Sequence, residues 1–318
     1  MQIKGFFSNS STLFQLGILL YLVLIGVLIN SFFGFAITKT TGFFSESEPA
    51  NTYDIPFYAI QASQIFSDIL MFILPAIFTA YLCSIKPADF IKIKRGADIR
   101  IIILSIVMLL LISPVISIIS DYCSKIQVLE FIPSIAEFAR KADLRAATLT
   151  KKILSENGIM PFITTIFTVS IMAAISEEFL FRGALLSIIR KKIKNPHMAI
   201  WIVAFIFSFI HFQFSGFIPR IFLGAFLGYL LYWTNNLWIP VIIHFINNTL
   251  IVIGYKTGFY NQSSDSTVMT RAEENVNELQ NSDLSSVASI IGTIIVVIIL
   301  LTLFALCARK MQKLELKT

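Results

Sequence analysis

The chain has 318 residues, 56% of them hydrophobic and only 14% charged, where a soluble domain carries roughly a quarter charged residues. That excludes a water-soluble globular protein. The net charge of +6 sits in short Lys/Arg clusters beside apolar runs, a distribution that sets membrane topology and leaves no case for nucleic-acid binding.

A helix needs about 20 apolar residues to cross the hydrocarbon core. The first such run, Leu13 to Ile37, is charge-free and too long for a signal-peptide core, so it reads as a retained helix. The second covers Gln64 to Ile85 and includes Asp68 and Pro75; the third is Ile101 to Ser120, with Pro114 as an expected kink. The fourth spans Ile159 to Ile189 and is interrupted by Glu177, Glu178 and Arg182. His197 to Phe214 and Ile221 to Thr234 follow as fifth and sixth. A turn at Asn235 and Asn236 leads to the seventh, Leu237 to Tyr255, and Val287 to Ala308 is the eighth. The expected fold is therefore all-α: a polytopic membrane helical bundle of about eight transmembrane helices.

Between these runs the chain is polar. Thr38 to Ser63 is acidic and Ser/Thr-rich, and Thr257 to Ser286 is an acidic, Asn/Ser-rich loop. Asp121 to Asn157 has mixed charge, with Leu129, Ile132, Ile135 and Ala136 at helical spacing, which predicts an interfacial amphipathic helix. Three regions result: residues 1–158 with three spans and the amphipathic segment, 159–256 as a catalytic core, and 257–318 with the outer loop and the last span. Cys83, Cys123 and Cys307 have no paired spacing, so neither a disulfide framework nor a thiolate metal site is expected.

Basic residues cluster after the second span (Lys86, Lys92, Lys94, Arg95, Arg100), the fourth (Arg190, Lys191, Lys192, Lys194) and the eighth (Arg309, Lys310, Lys313, Lys317). The positive-inside rule then puts both termini in the cytoplasm, and if the cell is bacterial the membrane is the plasma (inner) membrane. Lys125, Arg140, Lys141, Arg145, Lys151 and Lys152, after the third span, run against that count.

Each ionised side chain at mid-bilayer costs about 2.5–3.5 kcal/mol, so Glu177, Glu178 and Arg182 must pair and face the bundle interior. Glu178 and Arg182 are four apart and share a helix face, where they read either as a purely structural lock or as support for a site. Glu177 is turned about 100° away, leaving one carboxylate free to act as a base towards water. Two of the three histidines also fall in spans. His211 lies one turn after Phe207. His244 lies one turn before Asn248, which can orient the imidazole or donate to an oxyanion; Asn247 can substitute for it. His197 reads as interfacial, Asp68 as a helix-end residue reaching water, and Trp201, Trp233 and Trp238 as interface anchors.

Glu177-Glu178-x-x-x-Arg182, Phe207-x-x-x-His211 and His244-x-x-x-Asn248 resemble, in order, the three motifs of the CPBP family. That family contains the type II CAAX prenyl endopeptidases and the bacterial Abi-like intramembrane proteases. The resemblance covers roughly residues 160 to 255. It implies an endopeptidase in which Glu177 activates water, His211 holds it, and His244 and Asn248 stabilise the oxyanion. Glu178 and Arg182 form the supporting pair, and the family's pattern leaves room for Glu178 to share in catalysis. It implies a peptide or membrane-anchored protein substrate: a CAAX protein, a peptide precursor or a bacteriocin, the last linking to self-immunity. Glu177, His211 and His244 are a plausible Zn²⁺ set, but HExxH spacing is absent and a metal-free water accounts for the same residues. The rival readings are an ion- or proton-coupled transporter, since buried Glu and His also build proton relays, and a non-catalytic immunity or binding protein.

Overall fold

The computed structural model describes residues 3–41, 56–94, 96–125, 133–214, 216–258 and 285–315. Most of the two predicted acidic loops, and Leu129 and Ile132, lie outside these residues, as do the side chains of Cys123, Ile135 and Ala136. Among the described residues, every regular element is helical: α1 (Thr12–Thr41), α2 (Phe57–Cys83), α3 (Pro87–Phe90), α4 (Ile99–Lys125), α5 (Pro133–Ser155), α6 (Ile159–Lys192), α7 (Pro196–Phe209), α8 (Phe217–Thr234), α9 (Trp238–Lys256) and α10 (Ser285–Glu315). Seven of them are long and apolar enough to cross a membrane, and the molecule is an integral membrane protein built as an all-α polytopic bundle. Leu20, Leu24, Leu28 and Phe32 on α1, and Ile294, Ile298 and Leu301 on α10, face outward, where lipid rather than water makes exposure cheap.

Two predicted bounds shift. The second helix begins at Phe57, not Gln64, so Asp68 lies in its interior and not at an end in reach of water; it is 2% exposed. The fifth stops at Phe209, short of Phe214. At 1.5 Å per residue its 14 residues span only about 21 Å, less than the core thickness, so α7 is a short helix and not a full eighth span. Pro114 sits inside α4 as expected, without ending it. α5 lies within the predicted amphipathic segment and buries Ala139 and Leu154.

The core centres on α6, α7 and α8, with α2 packed from one side and α9 from the other. α7 and α8 approach closely because Gly224 and Gly228 carry no side chain. A Cβ at Gly228 would meet Ile200 Cγ2 at 2.8 Å, and one at Gly224 would meet Phe207 Cδ1 at 3.1 Å. In a bilayer, where lipid tails are as apolar as leucine, such small-residue seams let backbones touch. α2 contains π-helical turns at Asp68–Ile73, and α6 contains them at Ile166–Met172 and Phe179–Leu185. The second and third flank the short α-helical segment Ala173–Glu178, which carries both glutamates. π-turns of this kind collect at functional sites.

Candidate active site

Glu178 and Arg182 form the buried floor. Glu178 Oε1 accepts from an Arg182 guanidinium nitrogen at 2.7 Å and lies 2.9 Å from His244 Nδ1. Arg182 also donates to the Gly224 carbonyl at 3.0 Å, and its guanidinium carbon lies 4.5 Å from the centre of the Phe207 ring. Glu178 and Arg182 are both fully buried. A charge removed from water is tolerable when paired and hydrogen-bonded; here one arginine meets a carboxylate oxygen, a carbonyl and a ring face together, while Glu178 Oε2 and Arg182 Nε have no hydrogen-bond partner among the described residues.

Glu177 points the other way. Its Oε1 lies 3.7 Å from His211 Nε2 and its Oε2 lies 3.7 Å from His244 Nε2. Both gaps exceed a hydrogen bond and suit a bridging molecule. The far sides of the rings set the tautomers. His211 Nδ1 is 2.7 Å from the Phe207 carbonyl, and His244 Nδ1 faces Glu178; both neighbours only accept. Each Nδ1 therefore carries the hydrogen, and in a neutral ring Nε2 offers a lone pair towards Glu177. The side chains grade from Glu178, fully buried, through Glu177, 16% exposed, to His211, 27% exposed. The site is thus open on the His211 side.

α7 does not carry His211 inside the helix, as the motif spacing suggested. Ile210 and His211 form a turn just past its end, and Phe212 adopts a left-handed backbone (φ 49°) that reverses the chain towards α8. A bulky side chain rarely takes that conformation, so strain sits directly beside the histidine. The turn is held from outside: the Phe214 amide donates to Asp143 of α5 at 2.8 Å, and the Phe138 and Phe214 rings meet at 6.3 Å.

His211 lies 14 residues past the predicted start of its span at His197 and His244 only seven past Leu237, and the structure shows why they nevertheless meet. The turn before α9 is recessed into the bundle: Leu237 is fully buried and contacts Gly183, and Trp238 packs on Phe179. Gly183 is nine residues from the end of α6, roughly 14 Å along its axis. His244 therefore starts from a level already near the glutamates. The Lys92 carbonyl accepts from the Leu237 amide at 2.9 Å and the Gly96 carbonyl from the Asn236 side chain at 2.7 Å, which holds the turn down.

Asn248 does not orient His244; Glu178 occupies that position. The Asn248 amide donates to the Val169 carbonyl in a π-turn of α6 at 3.0 Å, and its oxygen accepts from Asn247 at 3.3 Å. One N–H of the amide remains beyond that bond.

Asp68 belongs to the site, although its sequence position gave no reason to include it. The π-helical turns holding it pack against Ala173–Glu178, and its carboxylate lies within electrostatic reach of Glu177. Gln64 donates to Oδ1 at 3.0 Å, while Oδ2 is buried without a hydrogen-bond partner among the described residues. The available signal was a charge inside an otherwise apolar run, discounted because the helix was started too late. His197 stays outside the site, 2.9 Å from the Tyr229 hydroxyl.

By type, Glu177, His211 and His244 are zinc donors. Among the described residues, however, no three such side chains are gathered closely enough to form a metal cage.

The family model of Rce1-like type II CAAX prenyl endopeptidases matches residues 159–250. The chain is also similar to the uncharacterized protein YpbD of Bacillus subtilis, 31% identical over 102 residues, covering 31% of this chain and 47% of that protein. It is 34% identical over 94 residues to the membrane-embedded CAAX protease MroQ of Staphylococcus aureus, covering 28% of this chain and 38% of that one. The matches thus span less than half of each relative, and no solved structure is significantly similar. The matched stretch contains the two glutamates, the arginine, both imidazoles and Asn248, and over these residues the chain is similar to the Rce1-like type II CAAX prenyl endopeptidases.

Proposed function

We propose that the protein is an intramembrane endopeptidase that hydrolyses a peptide bond with a water activated by Glu177. The observation that carries this reading is the convergence of two imidazole Nε2 atoms on the two oxygens of one carboxylate, 3.7 Å each. A water donating one hydrogen to Glu177 Oε1 and the other to His211 Nε2 turns its lone pair towards an incoming carbonyl carbon. As its oxygen bonds to that carbon, Glu177 takes the proton and the carbonyl becomes an oxyanion. His244 Nε2 can donate to the oxyanion only as imidazolium, with both ring nitrogens carrying hydrogen. Asn248 donates its remaining N–H. Collapse of the tetrahedral intermediate breaks the C–N bond, and Glu177 passes its proton to the leaving nitrogen, giving one acid and one amine. Asp68, with an unspent oxygen, serves as a positioning residue that exchanges the proton with Glu177.

No step of this scheme requires a metal. A zinc ion would be held by Glu177, His211 and His244 and would supply a Lewis acid. Activity that survives chelation in metal-free purified protein is the expected result; stoichiometric zinc and loss of activity on its removal would replace the glutamate-only scheme. The substrate class is a peptide or membrane-anchored protein, whose scissile bond reaches the site from the bilayer. The charge distribution further supports cytoplasmic termini.

Mass spectrometry of membrane-associated peptides from cells making the wild-type or the Glu177→Ala protein tests the reading. Products absent from the variant are expected, followed by their generation in vitro by purified wild-type protein and not by Glu177→Gln or His211→Ala. Identical peptide pools, or full cleavage by the variants, would end it. A proton-coupled transporter instead predicts proton uptake in vesicles that is lost in Glu177→Gln, with no products.

A further inference from the structure

At the end of the bundle that carries the basic clusters, a hollow of about 370 Å³ opens beside the recessed turn. Its walls include Lys92, Arg190 and Lys191, and its apolar floor is Leu186, Ile200 and Leu231. Lys191 is fourteen residues along α6 from Glu177, roughly 21 Å, so the hollow is separate from the carboxylate site and independent of the protease reading. We propose that it binds the phosphate headgroup of an anionic phospholipid.

Three observations point there. First, the cations are gathered but not neutralised. Lys92 Nζ donates to Asn235 Oδ1 at 2.6 Å, Lys191 Nζ donates to Gln15 Oε1 at 2.7 Å and lies over the Phe90 ring at 4.9 Å, and Arg190 donates to the Lys194 carbonyl. Every one of these partners is uncharged, and among the described residues none of the three cations is ion-paired to a carboxylate. Second, Lys92 is half-buried, and burial together with Arg190 and Lys94 holds its ammonium below the usual lysine range; an anion would relieve both penalties. Topological cations ordinarily extend into water, whereas these three come from two chain segments onto one cavity wall. Third, the shape suits a lipid. A water claims about 30 Å³ of liquid volume, so the hollow exceeds what a bare phosphate fills. Its apolar floor matches a glycerol backbone and the first methylenes. Positive-inside counting sets this end at the cytoplasmic leaflet, where anionic lipids concentrate and basic pockets between helices take their headgroups.

Native mass spectrometry of the full-length protein, supplied with phosphatidylglycerol or phosphatidylcholine at matched concentrations, tests the proposal. The wild type should retain one phosphatidylglycerol at energies that strip phosphatidylcholine. Lys92→Gln/Arg190→Gln should weaken retention roughly thirtyfold, since each Lys or Arg near an anionic surface contributes about fivefold. Lys192→Gln/Lys194→Gln removes the same charge from outside the hollow and should retain the lipid, as should the charge-preserving Lys92→Arg. No preference for phosphatidylglycerol in the wild type overturns the proposal whether or not any variant folds. Equal loss in both double variants overturns it as diffuse charge attraction. Displacement of the lipid by millimolar inorganic phosphate overturns the lipid assignment in favour of a soluble phosphate ligand.

Discussion

Glu177 and Glu178 are chemically identical neighbours that one turn of geometry separates into two roles. Glu178 is locked against Arg182 and His244, while Glu177 faces two imidazole edges across gaps too long for direct bonds. If Glu177 is the base proposed above, its removal should cost far more activity than stability. Glu177→Gln is expected to lower turnover about 10²–10⁴-fold with an unchanged thermal midpoint in detergent, read by cleavage kinetics beside a melting curve. Arg182→Met should do the reverse first, because it leaves the Glu178 charge buried without its cation; breaking a buried pair costs about 3–5 kcal/mol, measurable as a lowered midpoint. Asp68→Asn keeps shape and the Gln64 contact but removes the proton exchange proposed for this carboxyl group. A fall in kcat of about tenfold or more, with KM little changed and an altered pH–rate profile, is expected. A pH profile superimposable on the wild type would reduce Asp68 to packing.

At the scale of elements, the site depends on backbone features that charge and motif spacing do not reveal. α7 ends before His211, and the left-handed Phe212 turns the chain back under Asp143 of α5. The π-turns of α6 bracket the glutamate segment, and one of them presents the Val169 carbonyl to Asn248. Glycines set the helix spacing: at Gly224 an added Cβ would lie 3.1 Å from Phe207 and 3.3 Å from the Arg182 guanidinium. Gly224→Ala is therefore expected to destabilise by about 1–3 kcal/mol, the usual cost of overpacking, and to reduce activity by moving Arg182 and hence Glu178. A midpoint equal to wild type, in the same melting assay, would show that the seam can yield. The acid–arginine pair was legible because i,i+4 residues meet on any helix. Asp68 was not, since its value depends on which helix lies opposite.

Across the whole molecule, topology is robust to the one helix that is too short. α7 and α8 run antiparallel, with Ser208 bonded to Phe217 at one end and His197 beside Tyr229 at the other, so the chain returns to the side where α7 began. Seven long spans plus that short helix therefore predict both termini on one side, with α5 on the other. Protease protection of terminal tags in sealed vesicles should show both tags cleaved or both protected, and a split result would refute the arrangement. Composition and hydrophobic run length by themselves determined a polytopic helical membrane protein, because a bilayer leaves few other ways to satisfy backbone polar groups. Spacing within helices likewise identified the acids, the arginine and the imidazoles as a candidate set. What only tertiary structure decided was how they meet: the recessed Asn235–Leu237 turn that lifts His244 to the glutamates, the end of α7 before His211, Glu178 rather than Asn248 behind the imidazole, and Asp68 beside Glu177. Each arises from contacts between segments distant in sequence, and helical periodicity carries no information about how deep one helix begins relative to another.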